Sequence, residues 1–238
     1  MDSRLYPGYD GKWDGARFRR YILDRIREDY SVLDFGAGRG SSELLNFRGL
    51  AAFVAGVDPD SAVLGNPFLD EAKTLSPSDG RIPYPDDRFD LVFSDDVIEH
   101  LLDPETFFSE AYRVLRPGGW LLAKTPNKRH YVPMVARFTP HRFHEFINMK
   151  RGVERRDTFP TFYRCNTPED VANYAQATGF EATDIQTWEG RPEYLRRWAL
   201  AYLIGFLYER ATNRFTVLSR FRCVMVFSLR KPTRDRLV

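Results

Sequence analysis

The side chains best able to do chemistry in this sequence are acids set at the ends of apolar runs. Val32 and Leu33 lead into Asp34, and glycines then fall at every second position, Gly36, Gly38 and Gly40, with Ala37 and Arg39 between them, before the chain turns polar over residues 41–46. This pattern predicts a buried strand, a tight bend and a helix start, where unpaired N–H groups and a positive partial charge invite a ligand to touch backbone. The spacing G-x-G-x-G is neither the G-x-G-x-x-G of dinucleotide folds nor the G-x-x-x-x-G-K of phosphate loops. An acid two residues before the first glycine would repel a pyrophosphate and suits a ligand carrying cationic groups. A second acid, Asp58, followed by Pro59, closes the apolar run 51–57. An acid at a second strand end, about 20 residues past such a bend, is placed to hold two ribose hydroxyls through carboxylate hydrogen bonds.

Proton-transfer candidates cluster as well. All four histidines, His100, His130, His141 and His144, fall within one stretch of the chain, and imidazole is the usual base near neutral pH. Asp96, Glu99 and His100 are spaced to share one face of a helical turn. Two carboxylates and an imidazole would suit a divalent ion such as magnesium or manganese, which lowers a hydroxyl pKa by coordination. The reading adopted has no metal, with these three residues as the candidates for one.

Positioning these groups requires a sheet with ordered strand ends. Phe18, Tyr21, Ile22 and Ile26 recur at helical spacing and predict an amphipathic helix over 17–29. A strand is expected from Val32 into Asp34, with others at 51–57, weakly at 73–75, at 89–93 and at 120–125, and a helix over 104–115 is stopped by Arg116-Pro117-Gly118-Gly119. Thr167-Pro168-Glu169-Asp170 reads as an N-cap, a proline at the first helical position and acids in the first turn, and Gly179 ends that helix. Two further strands fall at 181–188 and 222–229. The result is an α/β fold, Rossmann-like and doubly wound, with a mostly parallel seven-stranded sheet, helices on both faces, and insertions after strand 5 and between strands 6 and 7.

Residues 32–127 resemble the class I S-adenosylmethionine-dependent methyltransferases, a methyltransferase type 11-like superfamily. The resemblance rests on four motifs in order: Asp34-Phe35-Gly36-Ala37-Gly38-Arg39-Gly40, Asp79 ahead of Ile82-Pro83, Phe89-Asp90-Leu91-Val92, and Arg113-Val114-Leu115-Arg116-Pro117-Gly118-Gly119. It implies S-adenosyl-L-methionine as cofactor and S-adenosyl-L-homocysteine as product. Asp34, Gly36, Ala37 and Gly38 would meet the methionine end, Asp58 and Pro59 the ribose, Asp79 and Ile82 the adenine, and Asp95 or Asp96 the sulfonium. His100 would be the base, with His141 and His144 as alternates. Asp96-x-x-Glu99-His100 is also similar to the E-x-x-E-H element of two metal-dependent groups, the ubiquinone-pathway O-methyltransferases and the small-RNA terminal 2′-O-methyltransferases, with Asp96 in place of the first glutamate. The implied acceptor is a small molecule, hydrophobic ones included, methylated at oxygen. The rival readings are an RNA 2′-O-methyltransferase, suggested by that element, by Thr125-Pro126-Asn127 and by the basic stretch 128–156, and a non-catalytic member that only binds the cofactor. A nicotinamide oxidoreductase is disfavoured by the glycine spacing.

The chain divides into an arm and helix (1–30), a cofactor-binding core (31–127), an aromatic and basic acceptor-binding insertion (128–166), and a C-terminal part (167–238) with a lid insertion at 192–215. Tyr131, Tyr163 and Trp198 are expected to wall the acceptor pocket. The apolar run 198–208 is too short to cross a bilayer. It reads as a core or lid helix, with interfacial membrane contact, a lipid-like acceptor groove or a dimer contact as the other readings. With 238 residues, 43% of them hydrophobic, the chain can bury one full core as a single domain. A net charge of +2 shows no general bias toward polyanions, so nucleic acid is not the expected partner. Two cysteines, Cys165 and Cys223, lie outside metal-like spacing, and the first residues lack the apolar stretch of a signal peptide. A reducing, cytoplasmic setting is the expectation.

Overall fold

The computed structural model describes residues 2–9, 11–76, 80–136, 160–196 and 198–233. Seven strands, β1 (Ser31–Phe35), β2 (Phe53–Asp58), β3 (Glu71–Thr74), β4 (Phe89–Asp95), β5 (Leu115–Pro126), β6 (Glu181–Trp188) and β7 (Val224–Arg230), pair in the order β3-β2-β1-β4-β5-β7-β6. β1 to β5 run parallel, and β7 lies antiparallel to both β5 and β6. Six helices accompany them among the described residues: α1 (Asp2–Leu5), α2 (Trp13–Leu23), α3 (Pro104–Val114), α4 (Tyr131–Ala136), α5 (Pro168–Thr178) and α6 (Ala199–Arg214). This is the expected Rossmann-like sheet.

All five residues of β1 are buried, as a strand covered on both faces requires. Leu33 and Phe35 pack into a core with Phe107, Phe108 and Ala111 of α3 and Val171 and Ala175 of α5. Val32 points the other way, into a core with Phe18, Tyr21 and Ile22 of α2. Both helices of the first face have the predicted starts and α5 its predicted glycine end, whereas Arg116-Pro117-Gly118-Gly119 lie inside β5, which begins at Leu115 directly after α3. The Asp103 carboxylate accepts from Thr106 N at 3.2 Å with Pro104 in the first turn, Thr167 Oγ1 accepts from Asp170 N, and Gly179 takes the left-handed φ of 84° that closes α5.

Three expectations change. The helix expected over 17–29 is shifted to Trp13–Leu23, because Trp13 packs against Gly190, where a Cβ would lie 2.4 Å from the indole, while Asp24 ends the last turn with its N–H on Arg20 O. No α-helix follows the glycine bend. Only a 3-10 turn, Glu43–Leu45, lies between β1 and β2, and Gly49 at φ 78° reverses the chain within a connection close to the minimum for a parallel crossover. Finally, the insertion helix α6 is not a core helix. Tyr202, Gly205, Glu209 and Thr212 face inward, whereas Leu200, Leu203, Ile204 and Leu207, spaced i, i+3, i+4, i+7, form an exposed stripe, with Leu200 73% exposed. The N-terminal arm secures its inner side: the Tyr6 ring packs on Tyr202 and Phe206, and its hydroxyl donates to Glu209 Oε2 at 2.9 Å. No helix among the described residues is long and apolar enough to cross a membrane.

Gly56, opposite Asp34 on β2, sets the closeness of strand and bend. A Cβ there would stand 2.4 Å from Leu69 Cδ1 and 2.8 Å from Ala37 Cβ. Gly56→Ala should therefore lower stability by about 1–3 kcal/mol through overpacking, read by urea unfolding. Gly65→Ala, where a Cβ meets nothing within 4 Å, is the control and should not lower it.

Candidate functional site

In a sheet of this order the strands leave β1 and β4 in opposite directions, and a crevice opens between their carboxyl ends. Asp34 near the end of β1, Asp58 at the end of β2 and Asp95 at the end of β4 surround it. Asp34 is 4% exposed, and burial, then Asp95, then Asp58 push its carboxyl well above the usual range. No donor among the described residues hydrogen-bonds to it. Asp58 is better supported: Gly38 N donates to Oδ2 at 2.9 Å and Asp60 N to Oδ1 at 2.8 Å. Burial still raises its pKa, against those two bonds.

The bend does not offer its backbone donors as expected. Gly36 N and Ala37 N both donate to Val57 O, at 2.8 and 3.1 Å, and Gly38 N is held by Asp58. With no helix N-terminus and these donors bonded internally, the bend contributes shape and the acids contribute charge. Asn66, which the sequence reading missed, clamps the bend by donating to Ala37 O at 3.0 Å and Gly38 O at 3.2 Å. Gly36 has φ 84°, and a Cβ there would sit 2.3 Å from Val97 Cγ2.

A buried lysine forms the opposite wall. Lys124 of β5 is 2% exposed, and its Nζ lies 2.9 Å from Asp14, 2.8 Å from Asp96 and 3.0 Å from Asp95. The three carboxylates hold Lys124 well above the ordinary lysine range in spite of its burial. Burial and Asp96 in turn raise Asp95. Asp96 takes φ 55°, a left-handed conformation costly for a non-glycine residue and fixed here by its N–H on Lys124 O at 2.9 Å and its carboxylate on Nζ. Neither Lys124 nor Asp14 was singled out from sequence. The available signal was a lone lysine inside the apolar run Trp120-Leu121-Leu122-Ala123-Lys124.

Next to it runs a polar chain. Asn166 Nδ2 donates to Thr125 Oγ1 at 2.8 Å, and Thr125 Oγ1 donates to Glu99 Oε2 at 2.8 Å. Burial and then Asp96 raise the Glu99 pKa. Phe162 N and Tyr163 N donate to Glu99 O, which draws the Tyr163 ring to this side of the site. His100 lies beside it, with Nε2 3.9 Å from Glu99 Oε1 and Nδ1 2.7 Å from Pro160 O. A carbonyl only accepts, so Nδ1 carries the proton and Nε2 of the neutral ring carries the lone pair.

Other expected residues fall elsewhere. Ile82 is fully buried, with its N–H on Glu110 and its carbonyl on Arg113, so it has no side-chain surface to give an adenine. Pro59 is exposed beside Asp58. Trp198 is 65% exposed. Tyr131 packs on His130 and Tyr208. Asp79, His141 and His144 lie outside the described residues. No group of three acids, histidines or cysteines among the described residues could hold a metal. Asn127 spends its amide on Arg220 O and Arg222 O, and Thr125 is bonded within the site. Both are thereby removed as nucleic-acid contacts.

His130 pairs with a residue not singled out from sequence. Its Nε2 is 3.6 Å from Glu189 Oε2, both side chains are buried, and neither atom has a hydrogen bond. Burial pushes His130 down to about 3 and Glu189 up to about 7, so both are held uncharged. The folded state therefore retains a proton on Glu189 that the unfolded chain has released, and stability falls as pH rises from about 4.5 to about 7. Glu189→Gln should remove roughly 3 kcal/mol of that slope, measured as the difference between wild-type and variant urea unfolding across this window. An unchanged slope would show that the carboxyl ionises in the fold as it does in water.

A family described as "Methyltransferase domain" matches residues 11–185. A Mycolicibacterium smegmatis protein described as a probable S-adenosylmethionine-dependent methyltransferase is 38% identical over 107 residues, covering 43% of this chain and 40% of that protein. The ubiquinone biosynthesis O-methyltransferase of Rhizobium etli is 27% identical over 166 residues, covering 67% and 63%. The chain thus spans less than two thirds of the length of these relatives. The solved S-adenosylmethionine-dependent methyltransferase of Mesorhizobium loti shares the fold at TM-score 0.58 and 15% identity, covering 93% of this chain and 98% of its own.

Proposed function

This chain belongs to the methyltransferase domain family, and we propose that it uses S-adenosylmethionine to methylate an oxygen atom of a small, largely apolar molecule without a metal. The cofactor supplies an electrophilic methyl group on a sulfonium. The acidic cup fits such a ligand: Asp34, buried and without a hydrogen-bond donor among the described residues, is suited to its ammonium group, and Asp58, fixed by two backbone N–H groups, to its ribose hydroxyls. Asp95 and Asp96 line the sulfonium side, with Lys124 Nζ within 3.0 Å of both.

The observation that carries the oxygen reading is the 2.7 Å contact of His100 Nδ1 with Pro160 O. With Nδ1–H held by Pro160 O, Nε2 is the basic nitrogen and receives the hydroxyl proton as the acceptor oxygen attacks. Glu99 lies beside the ring, with Oε1 3.9 Å from Nε2, and the Asn166–Thr125–Glu99 chain keeps that carboxyl in place. Positioning and exclusion of water supply the rest of the rate. Tyr163 beside Glu99 and the Tyr131–Tyr208 pair offer the aromatic surface that favours an apolar acceptor, and the name of the Rhizobium etli relative points to oxygen as well.

The test is labelled methyl transfer to alkylated catechols, matched aromatic amines and RNA, with and without chelator. Phenolic transfer that resists chelator, and falls by about a hundredfold in His100→Ala with unchanged affinity for S-adenosylhomocysteine, supports the reading. Preferred transfer to the amines or to RNA, or loss of activity with chelator, overturns it.

A further inference from the structure

Away from the acidic cup, a cleft of about 380 Å³ opens between α2, the end of β6, the end of α6 and the approach to β7. Its charge is set by two arginines. Arg17 of α2 lies with its guanidinium carbon 4.2 Å above the Trp188 ring, and among the described residues it has no carboxylate partner. Arg222 donates to two carbonyls, Nε to Thr212 O and Nη1 to Thr187 O, both at 3.1 Å. Burial first, and then the nearby charge of Arg222, lower the pKa of Arg17. Asn213 and Ser219 complete the polar wall. Glu189 also borders the cleft, but its carboxyl is 4% exposed, accepts from Gly190 N at 3.0 Å and is directed at His130.

We propose that this cleft is a binding site for a phosphoryl group, with Arg17 and Arg222 as its two forks. Two guanidiniums brought together, with no carboxylate partner among the described residues, leave repulsion that a tetrahedral oxyanion relieves, and each planar fork can meet two of its oxygens. The platform is preorganised: the indole fixes the plane of Arg17, and the two carbonyls fix Arg222. The same chemistry could be presented by a soluble phosphate compound or by a phospholipid headgroup. The second source is worth testing because Asn213 lies on α6, the helix that carries the exposed leucine and isoleucine stripe. The site stands apart from the methyl-transfer reading, since neither arginine belongs to the acidic cup.

The full chain is titrated with inorganic phosphate against sodium chloride at matched ionic strength, by calorimetry and by thermal melting. Saturable binding and a raised Tm are expected, weakened by about tenfold or more in Arg17→Gln. The affinity of that variant for S-adenosylhomocysteine should be unchanged, which shows that the fold and the cup are intact. Sedimentation with phosphatidylcholine vesicles, with and without phosphatidic acid, separates the sources. Cosedimentation that requires phosphatidic acid and Arg17 and is competed by phosphate assigns a headgroup, and phosphate binding without cosedimentation assigns a soluble ligand. The proposal is overturned if phosphate acts no differently from chloride, or if Arg17→Gln binds it as well as the unaltered protein does.

Discussion

Asp34→Asn should make the ligand-free protein more stable and nearly abolish its affinity for S-adenosylhomocysteine. The carboxylate of Asp34 is desolvated, faces the like charges of Asp95 and Asp58, and receives no hydrogen bond from the described residues. An isosteric amide removes the repulsion, and a gain of about 1 kcal/mol would lift Tm by roughly 2–4 °C in a domain of this size. The same exchange deletes the only charge proposed to hold the ammonium group of the ligand. Leaving that cation buried without its partner should weaken binding by about a hundredfold or more. Thermal melting and calorimetry on one sample read both effects. A lower Tm together with unchanged affinity would mean that Asp34 is a structural acid and would remove the core of the proposed site.

Lys124→Met should be the most destabilising single change in the site. Its Nζ is the shared cation of Asp14, Asp95 and Asp96, at 2.8 to 3.0 Å, in a side chain only 3% exposed. Methionine fills a similar volume, so the loss is electrostatic: three carboxylates remain together, one of them, Asp95, with its side chain only 16% exposed. Breaking a buried ion pair from one side costs about 3–5 kcal/mol, equivalent to a fall in Tm of roughly 10 °C. The sign with pH follows. Without the lysine, Asp95, already raised by burial and by Asp96, loses the cation that lowers it, so the folded state holds an extra proton at low pH and must ionise against repulsion as pH rises. The deficit should therefore be smaller near pH 5 and larger near pH 8, and Asp14→Asn should restore part of it at the higher pH. A deficit equal at both would show that packing, not charge, gives Lys124 its weight. Loss of transfer activity is expected alongside, because the same ammonium anchors the left-handed turn at Asp96.

The local grammar of this chain was legible without coordinates. Continuous apolar runs marked strands buried on both faces, and Thr167-Pro168 and Gly179 marked both ends of a helix, because capping and glycine geometry depend on residues only a few positions apart. The acids Asp34 and Asp58 were legible for the same reason: each closes its own strand, and a parallel sheet collects strand ends along one edge. Contacts that depend on distant pairing were not. Lys124 meets Asp14 across 110 positions, and Asn66 reaches Ala37 across 29. No periodicity encodes such a meeting. The missing helix after the glycine bend and the outward stripe of α6 were likewise settled by what lay opposite, a short crossover in one case and the arm with Pro192 and Tyr6 in the other. Sequence alone determined the sheet and the row of acids along its edge. Tertiary packing decided which of those acids share a cation, which stands without a donor, and which backbone groups were already bonded, because burial and charge pairing are properties of neighbours in space.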